Sequence, residues 1–408
     1  AVAGSQKATE RQPTTTDAPP RPPRTDTPPY LGKGGYGVVA KCFNVETEEI
    51  VAIKVYHEYV QKEEVERELE CLKKLQQVDP DEHNLVKFID HLKYKGQLCL
   101  VFEMLGSHLV DFMISREWKP LNVAEIRPIA QQLLVALEAL KSIGLVHADI
   151  KPDNIVFVNL LQSLKVKLID FGCAAEASKL EEFDSIQVPG FRAPEAILGL
   201  PLTEAVDMWA VGAVLALLFL GRLLYPYESA YEQLRIMVRV QGLPKDHLLK
   251  TGRKARRFFT ECHEPFGQAW RMKTPYEYQQ ERRNQVTRCS SYFEEFSCID
   301  DMLHAFKEYM DPTLEEDTKA FLSLLKQMLD IDPNKRITPS TALGHRFITS
   351  KVRSSNEAST SDNDTEGSTK AALDQGGTKD QITAVTVSDG ITNDERITAA
   401  SLNILWRS

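Results

Sequence analysis

Apolar and polar positions alternate in the first part of the chain and recur at helical spacing in the rest. From Gly37 to Tyr56 two runs, VVAKCFN and EEIVAIKVY, are rich in β-branched residues and separated by a polar turn. That pattern predicts a pair of strands. In residues 61–76, Val65, Leu69, Leu72 and Leu75 form one stripe on an otherwise charged segment, which predicts an amphipathic helix. LVKFID and QLCLVFEM, at 85–90 and 97–104, read as two further strands. From Glu125 onward the period changes. Ile126, Ile129, Ala130, Leu133, Leu134, Leu137 and Leu140 lie at helical spacing, and Gly144 ends that helix. The longest uncharged apolar run, MWAVGAVLALLFLG from Met208 to Gly221, is bounded by Asp207 and Arg222 and reads as a buried core helix rather than a membrane span. A strand-rich part followed by a larger helix-rich part predicts an α+β fold of two lobes with a cleft between them.

Both ends of the chain lack this patterning. Residues 1–27 are rich in Pro, Thr and charge, and residues 350–408 in Ser, Thr, Asp, Asn and Gly, so both read as disordered. One apolar patch, ITAASLNILW from Ile397 to Trp406, reads as a weak docking helix at most. The folded unit is expected over 28–349, with a small lobe over about 28–104 and a large one over about 105–349. A first residue of Ala suggests a fragment or an incomplete gene model, and no charged-then-apolar targeting signal precedes the fold. A net charge of −9 argues against binding nucleic acid directly. Seven scattered cysteines without metal-type pairs argue for a reducing, intracellular setting and against a disulfide scaffold.

Candidate chemistry begins at LGKGGYGVV: Leu31, Gly32, Lys33, Gly34, Gly35, Tyr36, Gly37, Val38 and Val39. Glycines let a backbone approach phosphates and aim N–H groups at them. Alone, the spacing fits a dinucleotide-binding turn or a plain hairpin as well. A dinucleotide site needs a helix next, whereas here strands follow and end in VAIK, so Lys54 is placed to reach ATP phosphates. Such a lysine needs a carboxylate to hold it, and Glu68 fits best, beside Leu69 and Leu72 on the apolar stripe; Glu63, Glu64, Glu66 and Glu70 read as solvated helix charges.

HADIKPDN, His147 to Asn154, offers the remaining parts of a phosphoryl-transfer site. Asp149 suits orientation of an attacking hydroxyl, Lys151 offsets charge on the transferred phosphate, and Asn154 offers an oxygen to Mg²⁺. LIDFG then ends an apolar strand in Asp170, the expected second Mg²⁺ ligand. A lone Asp-Phe-Gly is usually a turn and a lone His-x-Asp usually surface, but four pieces in this order form a specific signal.

With these pieces in hand, the chain resembles a eukaryotic protein kinase over nearly all of residues 30–349. More narrowly it is similar to the homeodomain-interacting protein kinases, relatives of the dual-specificity tyrosine-regulated kinases in the CMGC group. CLVFEML, HADIKPDN with Ala148 in place of the usual Arg, AILGLP, EAVDMWAVG, QGLP, RRFF and WRMKTP carry that match. The last two fall in a group-typical insertion at about 245–300. The resemblance implies a bilobal kinase fold and transfer of the ATP γ-phosphate, with Mg²⁺, to Ser or Thr hydroxyls of proteins, with some dual-specificity activity on Tyr. It implies Phe102 as the gatekeeper behind the adenine, and Glu103 and Leu105 as backbone partners of its edge. It also implies Asp207 as a cap on the catalytic-loop backbone and Glu195–Arg336 as a structural ion pair. Protein substrates, transcription regulators among them, a monomeric state, no membrane, and nuclear or cytoplasmic residence follow only from the resemblance.

Two departures stand out. Family members carry a phosphorylated tyrosine in the activation segment, gripped by two arginines. Here Ser185 stands at the tyrosine position after Asp184, Pro189 replaces the first arginine, and Arg192 keeps the second. Either Arg192 pairs with Asp184 or Glu182, or phosphoserine at 185 meets Arg192; the halved arginine set favours the carboxylate. The first strand is the second departure, since Pro28 and Pro29 leave room for a stub only. Both keep a rival in play, a pseudokinase-like scaffold that binds nucleotide and partners without turnover. Cys173, after the Asp-Phe-Gly, reads as a small buried hydrophobe rather than a reactive thiol. The basic cluster GRKARRFF reads as a solvated face or docking site rather than a targeting signal.

Overall fold

The computed structural model describes residues 30–350, except 45–46, 95, 161–162, 184, 263–268, 283–287 and 306–313. The expectations for 1–27, for the tail from 351 onward with its ITAASLNILW patch, for Asp184 and for the Glu182 side chain fall outside the described residues. Five antiparallel strands build the small lobe: β1 (Tyr30–Lys33), β2 (Gly37–Asn44), β3 (Glu49–Tyr56), β4 (Phe88–Tyr94) and β5 (Gln97–Glu103). Their order is β1-β2-β3-β5-β4. β1 is short, as expected, and carries a register shift between Tyr30 and Gly32. Gly37 is needed where β2 begins, because a Cβ there would lie 2.3 Å from the Val55 carbonyl oxygen.

Strand periodicity places the chemistry of this lobe. Side chains two apart on a strand share a face, so Lys54 and Tyr56 of β3 both turn inward and are buried. Helix α1 (Lys62–Leu75) covers that face with Val65, Leu69, Cys71, Leu72 and Leu75, and Glu68 comes with them. β4 starts at Phe88, three residues later than LVKFID suggests. The missing part is used elsewhere: Leu85 bridges Leu168 in parallel, and the Val86 N–H donates to the Leu168 carbonyl.

The large lobe begins with α2 (Leu109–Ser115) and α3 (Val123–Ser142). α3 starts two residues before Glu125 because Asn122 and Glu125 cap each other reciprocally. Short pairs follow, β6 (Leu145–Val146) with β9 (Ala175–Glu176) and β7 (Ile155–Phe157) with β8 (Val166–Leu168). After α4 (Pro194–Leu198) comes α5 (Ala205–Leu220), buried from Val206 to Leu220. It has no solvent face because α3 and α10 (Glu315–Met328) pack against it. No helix among the described residues is long and apolar enough to cross a membrane.

Between α5 and α10 lie α6 (Ala230–Gln241), α7 (Asp246–Thr251), the pair β10 (Phe259–Glu261) and β11 (Trp270–Met272), α8 (Pro275–Arg282) and α9 (Met302–Ala305). The basic cluster folds down onto this region. The Arg253 and Lys254 N–H groups donate to the carbonyls of Gly199 and Leu198, while Arg256 pairs with Glu261 and lies over Trp270. α11 (Pro339–Leu343) and α12 (Arg346–Thr349) close the lobe against α3.

Candidate active site

Lys54 is the centre of the cleft. Its ammonium donates to both Glu68 oxygens at 2.8 and 2.9 Å and to Asp170 Oδ1 at 2.8 Å. Burial works against its charge, but Asp170 and Glu68 outweigh burial and hold its pKa well above the usual lysine value. Asp170 answers in kind: burial would raise its carboxyl, and Lys54 brings it down to about 2. Tyr56 donates to Glu68 Oε2 at 2.7 Å, a brace that sequence reading missed although the two-residue spacing from Lys54 signals it. Gly172 makes room for this cluster, since a Cβ there would sit 3.1 Å from Glu68 Oε2 and 3.6 Å from Lys54 Nζ.

The loop Ile150–Asn154 brings the second group together. Asp149 Oδ2 accepts from Lys151 Nζ at 2.9 Å and from Asn154 Nδ2 at 3.0 Å. The same Asn154 amide nitrogen donates to the Asp149 carbonyl at 2.8 Å. With its amide donors spent on Asp149, Asn154 keeps its oxygen as the group a hard cation could use. Asp170 adds a carboxylate that stays ionised, so the pair fits Mg²⁺ held partly by phosphate oxygens rather than by a protein cage. Among the described residues no cluster of three His, Cys, Asp or Glu forms a cage of its own. Burial raises the Asp149 pKa against the pull of Lys151.

Two residues here sit in the left-handed region, Ala148 at φ 61° and Asp170 at φ 62°. Such strain persists only where the surroundings over-determine it. For Ala148 the cause is visible: Asp207 accepts the His147 and Ala148 N–H groups at 2.6 and 2.9 Å from inside α5. His147 donates to the Ile169 carbonyl and meets the Phe171 ring edge-on at 4.9 Å, joining the catalytic loop to the strand that delivers Asp170.

The glycine loop closes the cleft. Gly34 N–H donates to the Gly37 carbonyl, and His57 Nε2–H and Tyr59 O–H donate to the Gly34 and Gly35 carbonyls at 3.1 and 2.6 Å. The His57 and Tyr59 rings stack with centroids 5.1 Å apart. This tether was not expected from sequence. Gly32 and Gly35 face open space, whereas Gly37 is held tightly by β3. Leu31 and Tyr36 are exposed at the rim, and Val38 and Val39 follow on β2 opposite Val55 and Lys54. The Lys33 backbone pairs with Val38. Burial, Asp149 and Asp170 together push the Cys173 thiol up to about 12, which makes it a protonated filler rather than a nucleophile.

Phe102 ends the inner face of β5 against Phe88, and Glu103 closes the strand with its N–H on the Lys87 carbonyl. Half-buried Leu105 lies in the connection between lobes. Gly106 and Ser107 stitch that connection to Phe157 of β7.

The expected partners of Arg192, the side chains of Asp184 and Glu182, lie outside the described residues. Arg192 does not seek a carboxylate among the described side chains; its Nε and Nη2 donate to the carbonyls of Ile186 and Gln187 at 2.6–3.1 Å. The reason is Gln187, left-handed at φ 60°, which turns its carbonyl toward the guanidinium. The buried Gln187 side chain donates to the Val206 carbonyl and accepts from the Ala193 N–H, and its own N–H meets the Ala148 carbonyl. Ser185 is exposed. Beyond it, Glu195 and Arg336 form a bidentate pair at 2.5 and 2.9 Å, fully buried, with Arg336 also over Trp209.

A two-lobed fold with this cleft is the architecture of a phosphotransferase acting with ATP. The family model of the protein kinase domain matches residues 27–348. The chain belongs to the protein kinase family. Within it, the chain is 43% identical over 329 residues to homeodomain-interacting protein kinase 1 of Mus musculus, across 78% of this chain and 27% of that one. It is 42% identical over 329 residues to homeodomain-interacting protein kinase 2 of Mesocricetus auratus, across 78% of this chain and 28% of that one. Homeodomain-interacting protein kinase 4 of Rattus norvegicus is 35% identical over 344 residues, across 80% of this chain and 56% of that one. The chain thus spans about a quarter of the length of the first two relatives.

Proposed function

We propose that this chain transfers the γ-phosphate of ATP to Ser or Thr hydroxyls of proteins. One observation carries the reading: Lys54, Glu68 and Asp170 are assembled in one ion-paired cluster, with Asp149, Lys151 and Asn154 joined across the cleft. A bound Mg²⁺ would neutralise phosphate charge, and Asn154 and Asp170 are the residues that would hold it. Lys54 would orient the phosphates. Asp149 would accept a hydrogen bond from the attacking hydroxyl, and Lys151, already beside it, would face the transferred group. The relatives are named for interacting with homeodomains, which supports transcription regulators as substrates.

A scaffold without turnover has little in its favour, because its two sequence signs have structural answers. β1 is short yet paired with β2, and the activation segment is anchored through Gln187 and Arg192. Phosphate transfer to a protein substrate, compared between wild type and Asp149→Asn, tests the reading. A loss of roughly 10²–10⁴-fold is expected for removal of a positioned base. Equal signals from the two would refute it.

A further inference from the structure

Lys167 lies on β8, three residues before Asp170, with its side chain wholly buried at 0% exposure. Its neighbours on the strand, Val166 and Leu168, are core residues. A lysine is almost never fully buried unless paired. Here Nζ donates to Glu103 Oε1 and to Asp81 Oδ1, both at 2.6 Å. Glu103 Oε1 also accepts the Lys87 N–H at 2.6 Å.

The three partners come from three parts of the machine. Asp81 lies in the loop that follows α1, the helix of Glu68. Glu103 is the last residue of β5, where the connection between lobes begins. Lys167 stands on the strand that delivers Asp170. Between them runs 84–87, bonded on one side to Leu168 and on the other to Glu103. Burying a charge in such a network is poor value for stability alone, since an apolar side chain on β8 would pack as well. What the network supplies is geometry: it fixes the backbone at Glu103 against the strand of Asp170.

We propose that Lys167 is a positioning residue for adenine nucleotide, setting the interlobe backbone at Glu103 and Leu105 through the Glu103 carboxylate. The proposal rests on the kinase reading above. It separates the adenine end of the nucleotide from the phosphate end, which Lys54 and the glycine loop hold by themselves.

The test uses the full chain and two measurements. Binding of ADP and of inorganic tripolyphosphate is titrated by calorimetry, and KM for ATP and kcat are measured in phosphate transfer. Lys167→Met is expected to weaken ADP and raise KM for ATP by about tenfold or more, as for loss of a charged hydrogen bond. Tripolyphosphate affinity and kcat at saturating ATP are expected to stay within about threefold of wild type, less than half a decade. Lys167→Arg, which keeps the charge, is expected to recover part of the ADP affinity. Unchanged ADP affinity, or equal losses for ADP and tripolyphosphate, would overturn the proposal. Where Lys167→Met does not fold, Glu103→Gln, which keeps the backbone and volume, is expected to weaken ADP more than tripolyphosphate, and equal losses or none overturn the proposal. A wild type that neither binds ADP nor transfers phosphate fails the kinase reading before any variant is compared.

Discussion

At the scale of single residues, charge is what decides the cleft. In the proposed reaction Asp149 acts as a carboxylate; burial raises its pKa while Lys151 lowers it. Protonation removes its accepting oxygens, so activity falls as pH drops through that pKa. Lys151→Met removes the lowering influence. The acid limb of kcat/KM against pH is therefore expected to move toward neutral pH in that variant, along with a fall in kcat. An unmoved limb would show that Lys151 does not act on Asp149. Ser185 illustrates the opposite case. It is exposed, and the segment around it is held by Gln187 and Arg192 on backbone groups. Ser185→Ala is expected to retain most phosphate transfer, and near-complete loss would show that a phosphate at 185 is required. The carbonyl bonds of Arg192 were not legible in the sequence, because the left-handed turn at Gln187 that offers carbonyls to it has no mark in the letters themselves.

Among elements, period and punctuation told most of the story. β2, β3, α1, α3 and α5 fall where their apolar spacing puts them. Lys54 and Glu68 were legible because one sits on a strand's inner face and the other on a helix's apolar stripe. β4 was displaced because Leu85 and Val86 serve a strand of the other lobe, a long-range pairing that local spacing does not encode. The tether from His57 and Tyr59 was equally hidden, since side chain to backbone bonds leave no period. That tether engages the Gly34 and Gly35 carbonyls of the glycine loop. Tyr59→Phe keeps the stacked ring and deletes one neutral hydrogen bond, worth about 0.5–1.5 kcal/mol. KM for ATP is expected to rise about two- to tenfold with stability little changed, as steady-state kinetics and thermal melting would show. An unaltered KM would mean that the loop is ordered without it.

Across the whole molecule, α5 is the frame. Asp207 at its start holds the catalytic loop, the Ala205 carbonyl accepts from Arg336, and Trp209 lies under the same guanidinium. Glu195→Gln would leave Arg336 charged and poorly matched in a dry interior. Breaking one side of a buried pair costs about 3–5 kcal/mol. Denaturant melts are expected to show that loss, and a change below about 1 kcal/mol, the range of exposed pairs, would mark the pair as dispensable. The two partners stand 141 positions apart in the chain. During synthesis, at about 5–20 residues per second, Glu195 leaves the ribosome roughly 7–28 s before Arg336. For that interval the large lobe carries a carboxylate whose buried place has no counter-ion yet, so the nascent chain cannot finish this lobe early and stands open to chaperones until its last helices arrive.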